Sequence, residues 1–309
     1  MHKIVTVTLN PSLDKSTAVP SLVPEKKLQC KNPKLEPGGG GINVSRALNH
    51  LGVQSTALFM SGGFVGQQFN QLIQETGIDT VAFPIKNSTR ENFIVVDNSS
   101  NAQYRFGMQG PELSDNEWQQ PLIYLEKNTG YEYVVASGSL PPGVPVDFFG
   151  QLAAIVKKKK ARLIIDTSGP ALQKAVQEGV FMIKPNLGEL SYLYGVDELR
   201  QEQVVLAARN IIANGGSELI VVSMGAAGAM LISATEIIHC GSPMVKRKST
   251  VGAGDSMVAG MVYAATQNLS NNLLLKMGIA CGTAATMNEG TELCKKEDVL
   301  MLYQQLQNQ

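Results

Sequence analysis

Ser249-Thr250-Val251-Gly252-Ala253-Gly254-Asp255-Ser256 runs directly into the apolar helical pattern of Met257, Val258, Met261 and Val262. Small residues and one acid therefore open a helix. The first N–H groups of a helix lack intrahelical partners and carry partial positive charge, so Gly252, Ala253 and Gly254 can wrap bare backbone around an anion. An aspartate in that positive field is normally ionised. It stands where a substrate hydroxyl would approach a phosphoryl group held by the same amides, which makes Asp255 a candidate general base. The same pattern also fits a first-turn acid favoured by the helix dipole, behind glycines that only turn the chain. The rest of the chain has to separate the two.

Working back from this stretch, strand after strand ends in a polar or glycine-rich loop. Residues 217–223 lead into Met224-Gly225-Ala226-Ala227-Gly228, 181–184 into Pro185-Asn186-Leu187-Gly188-Glu189, 162–165 into Asp166, and 133–136 into Ser137-Gly138-Ser139-Leu140-Pro141-Pro142-Gly143. Helical patterns alternate with these strands. The arrangement predicts an α/β fold with one mostly parallel sheet and a site along one edge. Residues 3–9 read as its first buried strand. Asn10-Pro11-Ser12-Leu13-Asp14 reads as the turn that ends it, projecting an acid able to accept hydrogen bonds from sugar hydroxyls or to close its own turn. Four consecutive glycines, Gly38–Gly41, precede a helix with Asn43 in its first turn; each glycine costs backbone entropy, so a run of four suggests a ligand lying against the backbone. Asn186 and Glu189, three apart at a helix start, suit either a capping pair or the water shell of a magnesium ion.

Residues 92–96 and 103–106 form a predicted hairpin with Arg90 before it and Arg105 on it. With the proline-interrupted stretch 15–36, it is expected to make a small accessory sheet over the ligand edge, a lid that supplies cations and excludes water.

Composition removes other classes of function. The 26 basic and 26 acidic residues cancel, so no overall field recruits nucleic acid or an anionic membrane. The four cysteines and three histidines are scattered, against disulfides, zinc or a serine triad. No apolar run reaches bilayer length and the N-terminus reads as a strand, so a soluble cytoplasmic protein is expected. Ser61-Gly62-Gly63-Phe64-Val65-Gly66 is a damaged dinucleotide fingerprint without its following acid, which disfavours a nicotinamide oxidoreductase.

These residues together resemble the phosphofructokinase B family within the ribokinase-like superfamily of sugar kinases. The likeness runs from Leu9-Asn10-Pro11 to the C-terminal helices, and its two signatures are Gly38–Asn43 and Ser249–Ser256. The resemblance implies a single ribokinase-like domain over 1–309. It would be a three-layer αβα sandwich with a β lid formed by about 14–36 and 88–108, through which two copies would dimerise. It implies transfer of the γ-phosphoryl group of ATP to a sugar phosphate, with Asp255 as base and Gly252, Ala253 and Gly254 as the anion hole. Asp14, Gly39, Asn43 and Ser139 would hold the sugar; Lys27, Arg90 and Arg105 would meet its phosphate. Lys184, Asn186, Ser223, Gly225, Thr250 and Gly252 would line the nucleotide side, with Glu189 and Asn186 organising magnesium. A potassium loop is implied at Ser249, Val251, Ala285, Asn288 and Gly290.

Family members acting on fructose 1-phosphate or tagatose 6-phosphate tend to carry a lysine in the glycine element. Its absence points to fructose 6-phosphate. Gln29, where relatives have arginine, and Glu292, in place of a basic residue near the cation loop, depart from the family pattern. The alternatives are a kinase for one of the other two sugar phosphates and a non-catalytic sugar-phosphate sensor, which would be expected to lack Asp255 or Glu189.

Overall fold

Strands covered on both faces read as continuous apolar runs, and the chain begins with one. In the computed structural model, which describes residues 2–308, β1 (Ile4–Thr8) is buried at every residue. It is followed by β2 (Ser12–Val19), β3 (Lys34–Gly38), α1 (Gly40–His50), β4 (Thr56–Ser61), α2 (Gly63–Glu75) and β5 (Asp79–Pro84). A hairpin of β6 (Arg90–Asp97) and β7 (Ala102–Phe106) precedes α3 (Asp115–Trp118) and α4 (Gln120–Lys127). Strands and helices then alternate through β8 (Tyr133–Ser137), α5 (Phe148–Lys158), β9 (Arg162–Asp166), α6 (Gly169–Glu178), β10 (Val180–Ile183), α7 (Leu187–Tyr194), α8 (Val204–Ala213) and β11 (Ser217–Ser223). The antiparallel pair β12 (Ala229–Ile232) and β13 (Ile237–Cys240) leads to α9 (Ala253–Thr266), α10 (Asn271–Thr286) and α11 (Lys296–Gln307).

The nine-stranded sheet has the order β13-β12-β11-β10-β9-β8-β1-β4-β5 and is parallel from β5 to β11. Its side chains alternate faces. Val5, Val7, Val134, Ala136, Ile165 and Val222 pack with Phe148, Leu152, Leu190 and Val204 from α5, α7 and α8. Ile4, Val135, Ile164, Met182 and Val221 pack on the other side with Val44, Leu48, Val258, Met261 and Ala280 from α1, α9 and α10. Helices thus cover both faces, the three-layer αβα arrangement expected of a ribokinase-like fold.

The second sheet has the order β3-β2-β6-β7, with β2 and β6 parallel and the outer pairs antiparallel. The turn expected at Asn10–Asp14 is shorter than read: Ser12, Leu13 and Asp14 already belong to β2, because pairing with Gly38, Pro37 and Glu36 on one side and with Arg90, Glu91 and Asn92 on the other satisfies their backbone. Asp14 is therefore held on a strand. Free cysteines are Cys30, Cys240, Cys281 and Cys294, and among the described residues no helix is long and apolar enough to cross a membrane.

Candidate active site

From β1 the chain passes to β4 and β5 on one side and then returns to β8 on the other, so β1 marks a switch in strand order. Ligands of open parallel sheets bind outside the strand C-termini at such a point. Here the strand ends bring Asn10, Ser137, Asp166 and Lys184, while the first turns of α1 and α9 bring Asn43 and Asp255.

Gly252 caps α9 in the left-handed region at φ 70°, and a Cβ there would lie 2.5 Å from Leu293 Cδ2. Only glycine turns the chain at this spot without strain. The first amide of α9 to be satisfied by the helix pattern is Ser256 N, donating to Gly252 O at 2.8 Å; the amides of Ala253, Gly254 and Asp255 precede it and stay free for an anion. Asp255 Oδ2 accepts from Asn43 Nδ2 at 2.9 Å. Burial, then the negative charge of Asp166, push the Asp255 carboxyl up to about 6, against the pull of Asn43, Lys184 and Ser137. The sequence led to a normally ionised first-turn acid; at about 6 the carboxyl is still mostly ionised at neutral pH, but burial and Asp166 make it more basic than an ordinary aspartate.

Lys184 is buried with Nζ 3.1 Å from Asp166 Oδ1. Burial alone would lower its pKa, but Asp166, with Asp255 and Glu189 further out, holds it raised and charged. An ideal Cβ on Gly254 would sit 3.5 Å from this ammonium, so Lys184 faces the start of α9. Asn186 and Glu189 form the capping pair: Asn186 Oδ1 accepts from Glu189 N, and Glu189 Oε2 accepts from Asn186 N, both at 2.9 Å. The other carboxylate oxygen, Oε1, accepts no hydrogen bond among the described residues. Burial and then Asp166 raise the Glu189 pKa, the second after the opposing backbone bond from Asn186. Ser223 joins this group by a bridge to Asn186, and Gly225 follows at φ 59°.

On the other flank Asp14 is buried, with Oδ1 accepting from Ser12 Oγ at 2.7 Å and from Asn92 Nδ2 at 3.1 Å; burial raises its pKa. Arg90 donates to Asn10 O and Met108 O at 2.9 Å each, and among the described residues its buried Nε has no partner, as is true of Thr8 Oγ1 and Asn10 Oδ1. Buried polar atoms seldom go unpaired, so this cluster at the end of β1 marks a polar pocket. Ser139 Oγ accepts from Asn10 Nδ2 at 3.0 Å. The four glycines serve packing. A Cβ on Gly38 would lie 2.2 Å from Asp14 Oδ2, on Gly40 2.2 Å from Ser137 Oγ and on Gly41 2.5 Å from Thr8 Oγ1, and Gly39 stands at φ 111°. Bare backbone lets these polar side chains crowd the start of α1.

β7 reaches across to the helix start: Arg105 Nη2 donates to Thr250 Oγ1 at 2.5 Å and Gln103 Nε2 to Ser249 Oγ at 3.4 Å. Arg105 is thus beside the anion loop. Ser249 N donates to Thr286 O, and Ser249 Oγ to Gly290 O at 2.8 Å, which assembles Ser249, Val251, Ala285, Asn288 and Gly290 from two chain segments into one loop cluster. Glu292 beside it lies between Lys34 (2.8 Å) and Lys295 (3.4 Å), so its charge is compensated. Lys27, by contrast, is exposed on the loop after β2, as is Gln29; among the described residues no hydrogen bond or ion pair joins Lys27 to the site. The sequence reading missed Asp166 and Ser137 as site residues, although both stand at strand ends, and gave no role to Asn92, Glu36 or Arg46. A cavity of about 820 Å³ lies at the opposite edge of the sheet, lined by Lys157, Arg162, Phe181, Leu269 and Asn271, away from the converging reactive groups.

Residues 7–298 match the pattern of the pfkB family carbohydrate kinases. The chain is 40% identical to the ATP-dependent 6-phosphofructokinase isozyme 2 of Escherichia coli K12 over 304 residues, covering 98% of each chain. It is 33% identical to the 1-phosphofructokinase of Bacillus subtilis 168 over 291 residues, covering 94% of this chain and 95% of that one. The phosphofructokinase-2 of E. coli solved with potassium superposes with a TM-score of 0.95 at 40% identity, over 99% of this chain and 100% of that chain. The same protein solved with fructose 6-phosphate gives 0.94 at 38% identity over the same shares.

Proposed function

The chain belongs to the pfkB family of carbohydrate kinases, and from that premise we propose that it transfers the γ-phosphoryl group of ATP to O1 of fructose 6-phosphate, giving fructose 1,6-bisphosphate. The observation that carries this reading is the Asp255 carboxylate in the first turn of α9, beside amides that have no partner within the helix. Phosphoryl transfer needs positioning and charge stabilisation more than covalent help from the protein. Asp255 takes the proton of the attacking hydroxyl. The amides of the Gly252–Gly254 turn and the Lys184 ammonium receive charge from the phosphoryl oxygens.

The free Oδ2 of Asp14, with Asn43, Gly39 and Ser139, lines the sugar pocket; Arg90 and Arg105 supply cations on its lid side. Ser223, Gly225 and Thr250 take the nucleotide side. The whole of 1–309 acts as one catalytic domain with the four-stranded sheet as its lid. Lys27 reaches a sugar phosphate only if its loop moves or another copy presents it.

The donor sets suit the ions expected. Glu189 offers one free carboxylate oxygen close to a second acid, Asp166, whose repulsion a divalent cation relieves. With Asn186 it would hold magnesium through water, which supplies charge neutralisation on the phosphates. Ser249, Val251, Ala285, Asn288 and Gly290, drawn together by the bonds of Ser249 to Thr286 O and Gly290 O, would offer oxygen donors suited to potassium, which would stiffen the loop at the start of α9. A second copy of the chain is the expected partner at the outer face of the lid.

The test is ATP-dependent turnover with magnesium and potassium, offering fructose 6-phosphate, fructose 1-phosphate and tagatose 6-phosphate separately and comparing kcat/KM. Preference for fructose 6-phosphate is expected. Preference for either of the others keeps the chemistry and overturns the substrate; binding without turnover moves the protein to a sensor.

A further inference from the structure

Asn43 hands its Nδ2 protons to Asp255, and its own amide is not free to turn. Arg46, one turn along α1 on the same face, donates Nη1 to Asn43 Oδ1 at 3.4 Å and to Pro37 O at 2.9 Å, and Nη2 to Glu36 Oε1 at 2.9 Å. Arg46 and Glu36 are both buried. The second oxygen of Glu36 accepts from Thr291 Oγ1, and Lys34 Nζ lies 3.5 Å from it. The pair is therefore clamped from β3, from α1 and from the loop after α10.

A carboxamide rotated by half a turn fills nearly the same space but exchanges its donor and its acceptor. A guanidinium only donates. With Arg46 fixed behind Asn43, a flipped amide would set NH₂ against N–H on one side and oxygen against carboxylate on the other. Only one orientation survives.

We propose that Arg46, fixed by Glu36, is a positioning residue that locks the Asn43 amide with its NH₂ toward Asp255 and so holds the base carboxylate in its reactive orientation. The proposal rests on Asp255 being the base. The groups facing that carboxylate are Asn43 from α1 with Arg46 behind it, Ser137 from β8, Asp166 from β9, and Lys184 after β10 with Glu189 of α7 beyond. Burial and Asp166 favour its protonated form, while Asn43, Lys184 and Ser137 favour the ionised one. Releasing the Asn43 amide removes one of those restraints without touching the other two.

The experiment compares Arg46→Met, Arg46→Lys and Glu36→Gln with the parent protein, measuring kcat, KM for ATP and sugar phosphate, and thermal unfolding across the neutral and mildly acid range. Arg46→Met is expected to lower kcat by about 10- to 100-fold, the scale of a misplaced catalytic group, with KM for ATP little changed and the acid limb of the kcat/KM profile moved to higher pH. Arg46→Lys, still a donor-only cation, recovers part of kcat and returns the limb toward its parent position. Glu36→Gln moves the limb in the same direction as Arg46→Met. A loss of kcat that follows a lowered Tm while the limb stays in place overturns the proposal. If Arg46→Met does not fold, an unmoved limb in both other variants overturns it equally. Asp255→Asn is measured alongside: substantial turnover in that variant overturns the base reading, whereas an inactive Asp255→Asn with unmoved limbs at Arg46 and Glu36 overturns the positioning role alone.

Discussion

A carboxylate that takes a proton at neutral pH has to be ionised and yet poorly enough solvated to be basic. Asp255 meets both demands because burial and Asp166 raise its pKa to about 6 while Asn43, Lys184 and Ser137 keep the ionised form accessible. The pH profile of kcat/KM should therefore fall on its acid side near pH 6, about tenfold per unit below that, rather than near the 4 of an ordinary aspartate. Asp255→Asn should cut kcat by about 10²- to 10⁴-fold while ATP affinity, read by titration calorimetry, stays near normal. The same substitution has a stability consequence whose sign is fixed by linkage. A carboxyl with a raised folded-state pKa binds more protons folded than unfolded between pH 3.8 and about 6, so its contribution favours folding at low pH and is lost as pH rises through that window. Above pH 6 the ionised Asp255 costs up to about 3 kcal/mol, and Asp255→Asn should unfold at a higher temperature than the parent at pH 8, with the difference fading toward pH 4. Equal melting temperatures across that range would mean that the carboxylate is well solvated.

Two glycines two residues apart at the start of α9 do different work. Gly252 needs its left-handed backbone and would drive a methyl into Leu293, so Gly252→Ala should cost about 2 kcal/mol or more and be visible in urea unfolding. Gly254 is helical and exposed, and its Cβ would meet only the end of the Lys184 side chain, Nζ and Cε, at ordinary contact distance, so Gly254→Ala should leave stability unchanged or raise it by up to about 1 kcal/mol. Turnover should nevertheless fall, because the methyl stands where a phosphoryl group must reach Lys184. Stability and activity thus separate at neighbouring positions. The sequence made this element legible because glycines, an acid and an apolar period lie within one stretch. Asp166 and Lys184 were not legible as a pair: Asp166 ends β9 and Lys184 directly follows β10, and only the parallel pairing of those strands places their side chains together. Glu36 and Arg46 were hidden for the same reason, since ten residues and a glycine run separate two charges that folding buries against each other. Asp14 was legible as an acid at the end of β1 but not as a strand residue, because the pairing that claims it comes from Glu36 and Asn92.

At the scale of the molecule, the alternation of strands with helices foretold the layered sheet, while the two faces of the four-stranded sheet required the register. In β6 and β7 one set of side chains, Arg90, Asn92, Ile94, Gln103 and Arg105, turns toward Asp14 and the anion loop. The other set, Phe93, Tyr104 and Phe106, stands in solvent at 38%, 40% and 47% exposure, with Phe93 opposite Phe106. An aromatic outer face on a small sheet with open edges is covered most simply by the same face of a second copy, which pairs like with like about a twofold axis. Sedimentation equilibrium at micromolar concentration should therefore report a dimer, and Tyr104→Glu with Phe106→Glu should shift it to monomer. If the second copy steadies β7, monomers should also lose turnover, because Gln103 and Arg105 on its opposite face bond Ser249 and Thr250. Leu206→Glu, at a still more exposed position on α8, should leave both mass and turnover unchanged. A parent protein that sediments as a monomer, or a monomeric variant with full turnover, would separate the lid from the assembly and leave its closure to the contacts within one chain.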